Sequence, residues 1–408
     1  MILKPQWRGL LIVLIVFALL LRQGLAVMLL GLPALTLLLA ELWSRWALRR
    51  IAYERSLSSE RALVGDEITL TLRIANRKLL GLPSLVIDEL VPDQLDYGAQ
   101  RLLPHTLLNT KLLRRSTSLR PYEAVSWQIK LRCTKRGLFT FGPAHLTATD
   151  AFGLVTRELE LAQRTRLLVY PELVKLPNLR LRAQHPVGER RAPRQLLTDP
   201  ARTIGVRDYR RDDPLKAVHW GATARRGELQ TRIFEPTTNL DIAIVLNLDT
   251  FEHYWEGVRY DQIEYMISVA AAVASEAAGQ GLGFGLYTNG APADQGQLVR
   301  IPPDRSPAQL PLVLEVLAKL VPYAVTPFPN VLRRLGPAMT WGTTIVFISA
   351  VPSEALQIAL LRLQQQRGRI VWLYAGEGAV PHVPGIEVVP LQTNAVWGQR
   401  SGRIMPQS

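Results

Sequence analysis

Between Arg207 and Leu229 the chain sets Asp208, Asp212 and Asp213 among Arg207, Arg210, Arg211 and Lys216, and follows them with His219-Trp220 and Arg225-Arg226. Three chemistries suit these residue types. Mixed charge at this density favours ion pairs within the segment, with Arg225 and Arg226 free to pair with the aspartates or to stack on Trp220. On that reading the segment is a polar lock that seats a linker on the domain after it, and Trp220 is a packed side chain whose loss costs about 3–5 kcal/mol. The same residues could instead form a recognition surface for a protein partner. A third reading makes His219 a general base with one of the aspartates, which needs a reachable partner and a pocket.

Other chemistry is sparse. The six histidines are scattered, and the single cysteine, Cys133, excludes an internal disulfide framework and a Cys-rich zinc site. No Ser or Cys nucleophile motif is present. Gly281-x-Gly283-x-Gly285 reads as a helix end running into a strand, with no helix N-terminus after it to cradle a phosphate.

The elements that must position the motif differ on its two sides. From about residue 56 to 172 the pattern is β: Thr69 to Ile74 alternates polar and apolar residues, and Leu85–Asp88 and Ser126–Leu131 repeat the signature of half-buried strands. Frequent turns in about 110 residues predict an antiparallel β-sandwich-like domain. Residues 173–205, rich in Arg and Pro, read as a linker, and 206–240 hold the motif. From 241 to 395 apolar strands (Asp241–Leu248, Phe284–Thr288, Thr344–Ser349, Ile370–Tyr374) alternate with helices (Tyr260–Gln280, Ala308–Leu320, Glu354–Gln366). Such alternation predicts an α/β, Rossmann-like, mostly parallel sheet, whose ligands bind beyond the carboxyl ends of the strands. Residues 396–408 read as a flexible tail.

Residues 1–50 read as a two-helix transmembrane hairpin, with a single signal anchor or a cleaved signal peptide as the alternatives. Uncharged runs from Gly9 to Leu21 and from Gln23 to Ala40 flank Arg22, which one continuous helix would bury at the bilayer centre. Lys4 and Arg8 precede the pair and Arg45, Arg49, Arg50 and Arg55 follow it, so the positive-inside rule places both termini in the cytoplasm. Trp7, Trp43 and Trp46 stand where an aromatic belt would lie.

The motif resembles the domain of unknown function 58 family. The matching residues are Arg207, Tyr209, Asp212, Asp213, Pro214, His219, Trp220, Ala224, Arg225 and Leu229, with Lys135-Arg136-Gly137, Phe141-Gly142-Pro143, Asp150-Ala151-Phe152-Gly153-Leu154 and Val169-Tyr170-Pro171 upstream. The resemblance implies a membrane hairpin, a β-rich segment, the motif, and a domain like a von Willebrand factor type A domain. It also implies a neighbouring MoxR-type AAA+ ATPase and a role in assembling membrane or envelope components. Type A domains hold Mg2+ through Asp-x-Ser-x-Ser after the first strand and oxygen ligands from later loops. Here Asn247-Leu248-Asp249-Thr250-Phe251-Glu252-His253 supplies that set in neither frame, and Ser349-Ala350 stands where Ser-Asp is expected. The site near Asn247, Asp249, Thr288 and Ser349 therefore reads as degenerate, and no cofactor is expected.

The formal charge of +14 asks for an anionic partner. The arginines are spread rather than clustered with aromatics, so membrane lipid suits them and nucleic acid does not. The reading that follows is a non-enzymatic, membrane-anchored scaffold or assembly factor that presents its α/β domain to a protein partner. A metal-dependent adhesion module and a hydrolase using His219 are the alternatives.

Overall fold

The computed structural model describes residues 24–176, 198–210, 213–236, 241–294, 296–335, 343–367 and 369–391. The chain divides into two compact units, Met1–Tyr170 and Pro171–Ser408.

The first unit opens with helix α1, Gly24–Ala47. It continues past Ala40, where the uncharged run stops, and its stretch Met28–Ala47 is long and apolar enough to cross a membrane. The first arm of the expected hairpin lies outside the described residues. The end of α1 is tied to the β-rich part. Trp43 donates its indole N–H to the carbonyl of Gly81 at 3.2 Å, and Lys78 Nζ donates to the carbonyls of Ala47 (2.5 Å) and Arg49 (2.9 Å). A cation at the C-terminus of a helix satisfies carbonyls that have no intrahelical partner. Trp43 is thus spent on protein packing rather than on a membrane belt, whereas Trp46 is exposed with the Arg49 guanidinium 4.7 Å above its ring.

The strands that follow are β1 Ile51–Leu57, β2 Arg61–Leu63, β3 Glu67–Asn76, β4 Leu82–Pro92, β5 Leu102–Pro104, β6 Thr110–Leu119, β7 Ala124–Arg132, β8 Gly137–Phe141, β9 Ala144–Thr149, β10 Thr156–Leu161 and β11 Thr165–Tyr170. They form sheets ordered β1-β3-β7, β10-β9-β4-β6-β5 and β2-β11-β8. Pairing is antiparallel except between β2 and β11, so the sheets are mixed rather than wholly antiparallel as the turn density suggested. In β3, Ile68, Leu70, Leu72 and Ile74 alternate into the interior, as their period of two requires. They share one core with Leu113, Ile129, Leu131, Phe139, Phe141 and Leu167, contributed by other sheets and strands of the unit. A second core joins Ile74, Leu85, Ile87 and Leu146 to Ala47 and Trp43 of α1.

One buried charge pair crosses this unit. Arg55 Nε lies 2.7 Å from Glu89 Oε1, with both side chains fully buried. Its other nitrogens donate to the carbonyls of Phe141 (2.6 Å) and Gln163 (3.0 Å), and the Tyr53 hydroxyl donates to Glu89. Burial pushes the Glu89 carboxyl up to about 7 despite the opposing pull of Arg55. Gly142, at φ 90°, lets the backbone pass close to the guanidinium; a Cβ there would sit 2.6 Å from it.

The second unit begins with β12, Thr198–Asp208, which starts inside the stretch read as linker. It pairs antiparallel with β13, Gln230–Pro236, and helix α2, Trp220–Arg226, lies between them in the chain. The α/β part follows: β14 Ile242–Leu246, α3 Tyr260–Gly279, β15 Phe284–Thr288, β16 Arg300–Asp304, α4 Gln309–Lys319, α5 Phe328–Leu335, β17 Thr344–Ser349, α6 Glu354–Arg367, β18 Ile370–Tyr374 and β19 Glu387–Pro390. Its sheet runs β16-β15-β14-β17-β18-β19. All pairs are parallel except β15–β16, at one edge. The central strands are buried along their length except for Thr344 at the start of β17, as apolar runs covered on both faces must be. Helix α3 buries far more than one stripe, including Tyr265, Val269, Ala271 and Ala272, because its alanines allow close approach from several sides. The order of strands reverses beside β14, and a ligand crevice is expected at the carboxyl ends there.

Candidate functional site

The motif folds as a hairpin with a network of its own. Arg207, at the end of β12, clasps Asp213 with both terminal nitrogens, at 2.7 and 2.6 Å. The same carboxylate accepts the Arg210 amide N–H at 2.9 Å and the Thr231 hydroxyl at 3.2 Å. These donors, the Arg207 side chain first, hold the Asp213 carboxyl down at about 2. The Tyr209 hydroxyl donates to the Asp213 carbonyl at 3.0 Å, and the Tyr209 amide donates to Leu229 across the hairpin. Asp208 accepts from the Gln230 amide at 2.8 Å and lies 3.5 Å from Arg226. Asp212 and Arg211 lie outside the described residues.

His219 caps α2. Its Nδ1 accepts the Ala222 amide at 3.0 Å, satisfying a donor that the helix leaves open. Its backbone N–H bonds to the carbonyl of Gln230, and the Thr223 hydroxyl accepts the Gln230 amide at 3.0 Å, so cap, helix and β13 close on one another. Gly227, at φ 74°, ends the helix in the left-handed conformation that a side chain resists. Nδ1 is therefore occupied, and among the described residues no carboxylate lies within hydrogen-bond reach of His219.

Trp220 is different. It is 66% exposed, and Leu215, at 69%, and Leu229, at 43%, are exposed in the same segment. The expectation that Trp220 is a packed anchor is overturned: position 220 is the first residue of a short helix that buries no side chain. Arg225 makes no ion pair among the described residues, so its expected pairing with an aspartate or with Trp220 is absent from them as well. Ala224 sits on the same short helix. The motif thus separates into residues that build the hairpin (Arg207, Tyr209, Asp213, His219) and residues that the hairpin displays (Trp220, Arg225, Leu229).

At the carboxyl ends of the sheet, Asn247, Thr288, Asn289 and Ser349 converge and are buried. Asn289 Nδ2 donates to Asn247 Oδ1 at 3.0 Å, and Asn247 Nδ2 donates to the Ser349 hydroxyl at 3.2 Å. Asn289 Oδ1 accepts the Leu248 amide at 2.9 Å, and Thr288 Oγ1 accepts the Gly290 amide at 3.1 Å. The oxygens that a cation would use are engaged with protein donors. Burial lifts the Asp249 carboxyl from 3.8 to about 6, against hydrogen bonds from the Phe328 amide and Asn289. Among the described residues no group of three or more His, Cys, Asp or Glu side chains is placed to hold a metal. Asn289 is the member of this network whose importance the sequence hid, because only the sheet brings it to Asn247. Gly285 also gains a reason: a Cβ there would collide with the backbone of Ile301, Pro302 and Pro303 on the edge strand.

Comparison with known proteins gives a partial family match and little else. Residues 205–372 match the model of the family described as protein of unknown function DUF58. The uncharacterized protein YeaD of Bacillus subtilis (strain 168) is 23% identical over 260 residues, covering 62% of this chain and 59% of YeaD. The chain therefore spans less than two thirds of that relative. A non-cellulosomal cohesin from Archaeoglobus fulgidus is 13% identical, with 29% of this chain and 90% of the cohesin covered and a TM-score of 0.20. The CARDB domain of the PF1109 protein from Pyrococcus furiosus is 14% identical, with 29% and 91% covered and a TM-score of 0.21. At such scores neither likeness carries an argument. Over residues 205–372, which hold most of the motif hairpin and the central strands of the α/β sheet, the chain is similar to the DUF58 family.

Proposed function

We propose that this protein is a membrane-anchored, non-enzymatic scaffold or assembly factor that presents the motif hairpin and a von Willebrand factor type A-like domain to a protein partner. The observation that carries the reading is the exposure of Trp220 on a hairpin that Arg207, Tyr209, Asp213 and His219 hold together. A large exposed aromatic on the same short helix as Arg225, which pairs with no carboxylate among the described residues, is the composition of an interface hot spot. The hairpin's own network supplies the preorganisation that lowers the entropic cost of docking. The strand order, with one antiparallel edge, supports the type A-like assignment of the α/β part. The family resemblance points to a MoxR-type AAA+ ATPase as the partner. The length of α1 and the arginines after it support an anchor with the folded units on the cytoplasmic side.

The test is co-elution of the detergent-solubilised full chain with a purified MoxR-type ATPase from the same source. A stoichiometric complex lost in Trp220→Ala and Arg225→Ala, with melting temperatures unchanged, supports the reading. A complex indifferent to both substitutions removes the hairpin from the interface.

A further inference from the structure

The three-stranded sheet of the first unit carries a concavity of 230 Å³ on its outer face, just past the end of α1. Its floor is a row of small side chains: Ala52 pairs with Ala75, and Ala75 pairs with Ala124, so three alanines lie side by side across β1, β3 and β7. Arg73 and Glu54 wall one end, and Arg77 and Tyr122 wall the other. Arg73 Nη1 is 4.0 Å from Glu54 Oε2, the outer limit of an ion pair between exposed groups. The Arg77 guanidinium has no partner among the described residues. Tyr122 is 68% exposed and holds φ at 56°, a conformation unfavourable for tyrosine. Nothing in the packing of its ring explains why the turn keeps it.

The position of this concavity suggests its ligand. Its rim is bonded to the end of the membrane-length helix. The Arg77 amide donates to the Arg50 carbonyl, Lys78 Nζ caps Ala47 and Arg49, and the Tyr122 amide donates to the Lys78 carbonyl. Asn76 Nδ2 donates to the Leu80 and Arg120 carbonyls, which joins the two rim loops. Exposed Leu79 on the same loop, Trp46 on the helix and Arg49 in the turn after it are side chains suited to a membrane–water interface. Arg49, Arg50, Arg73, Arg77 and Arg120, against Glu54 and Glu123, leave the surroundings net positive.

We infer that Arg73, Arg77 and Tyr122, over the floor of Ala52, Ala75 and Ala124, bind the phosphate of an anionic phospholipid headgroup. The inference rests on the membrane-anchored reading. The two guanidinium groups supply forked donors that match phosphate oxygens, Tyr122 supplies a hydroxyl donor, and the alanines leave the volume open. Arg73 exchanges its long contact with Glu54 for the phosphate.

The experiment uses the full chain in a neutral detergent, titrated with dioctanoyl phosphatidylglycerol, dioctanoyl phosphatidylcholine and glycerol phosphate, with melting temperature as the readout. Phosphatidylglycerol should raise it, and the other two should not. One arginine near an anionic surface is worth about a fivefold change in affinity, so Arg77→Gln should weaken the effect about fivefold and the double variant with Arg73→Gln should nearly abolish it. Ala75→Leu, which fills the floor and keeps every charge, should also abolish it. Lys130→Gln, at the far end of β7 on the same face, should change nothing. An equal rise with glycerol phosphate would make this a site for a soluble phosphate and overturn the lipid assignment. Variants that respond like the parent chain would overturn the site. Flotation of the parent chain with pure phosphatidylcholine vesicles separately tests the anchor, because α1 alone should suffice there.

Discussion

Replacing Asp249 with asparagine should stabilise the α/β part near neutral pH. Asp249 stands at the carboxyl end of the central strand, and burial raises its carboxyl from 3.8 to about 6. The folded state therefore holds the proton more tightly than the unfolded chain. Stability is highest below the unfolded value, declines as pH rises from about 4 to about 6, and stays low above that. A shift of about 2 pH units corresponds to at most about 3 kcal/mol, and loss of one acceptor in asparagine returns about 1 kcal/mol. The expected net gain for Asp249→Asn is about 1–2 kcal/mol at pH 7.5, falling to zero or slightly below at pH 4. Two units in one chain make a single global unfolding energy ill defined. Amide hydrogen exchange of β14 and β17, read by mass spectrometry in parent and variant at each pH, isolates the relevant free energy. Equal or slower exchange in the parent at pH 7.5 would refute the reasoning, because it would mean that the ionised carboxylate is compensated. Should Mg2+ then protect the parent and not the variant, the crevice holds a cation despite its self-satisfied amides.

Other outcomes are as specific. Arg55→Met should cost about 3–5 kcal/mol in the first unit by leaving Glu89 buried without its cation, measured by exchange of β3 and β4 amides; a change under 1 kcal/mol would contradict the pair's geometry. The Asp213 carboxyl, held down at about 2 by Arg207 and its other donors, contributes stability that is present above about pH 4 and is lost as pH falls towards 2. Asp213→Asn should flatten that acid limb in exchange of the β13 amides, and an unchanged limb would assign it elsewhere. Trp220→Ala should change the melting temperature by less than a buried aromatic would, with the loss appearing in partner binding instead. For topology, a cysteine at exposed Ala293 in a chain lacking Cys133 should resist an impermeant reagent on intact cells; labelling would reverse the cytoplasmic assignment.

Much of the fold is legible from local pattern. The period-two burial of β3, the apolar strands β14, β15, β17 and β18, and helix α3 all stand where the sequence puts them. The misses have physical causes. Edge strand β16, Arg-Ile-Pro-Pro-Asp, carries two prolines that argue against a strand and are tolerated only at an edge. Strand β10, Thr-Arg-Glu-Leu-Glu-Leu, exposes nearly every side chain and gives little burial signal to read. At the motif, charge pattern revealed an internal network but not its partition: the same aromatic reads as core or as surface until its helix is placed. At the crevice, Asn247 meets Asn289 and Ser349 only after the chain has crossed the sheet twice, so no spacing rule links them.

The bonds between Lys78, Trp43 and the end of α1 have a mechanical meaning. A 24-residue helix is about 36 Å long, and its last turn is welded to the β-rich part by Trp43 on the helix and Lys78 on the loop between β3 and β4. A helix in a bilayer adjusts its tilt to the thickness of the hydrocarbon. If α1 crosses a bilayer, as proposed, such a tilt would not be absorbed at a swivel and would swing the whole β-rich part through the same angle. Bilayer thickness would then be a variable that this unit registers as a change in its own orientation to the membrane plane.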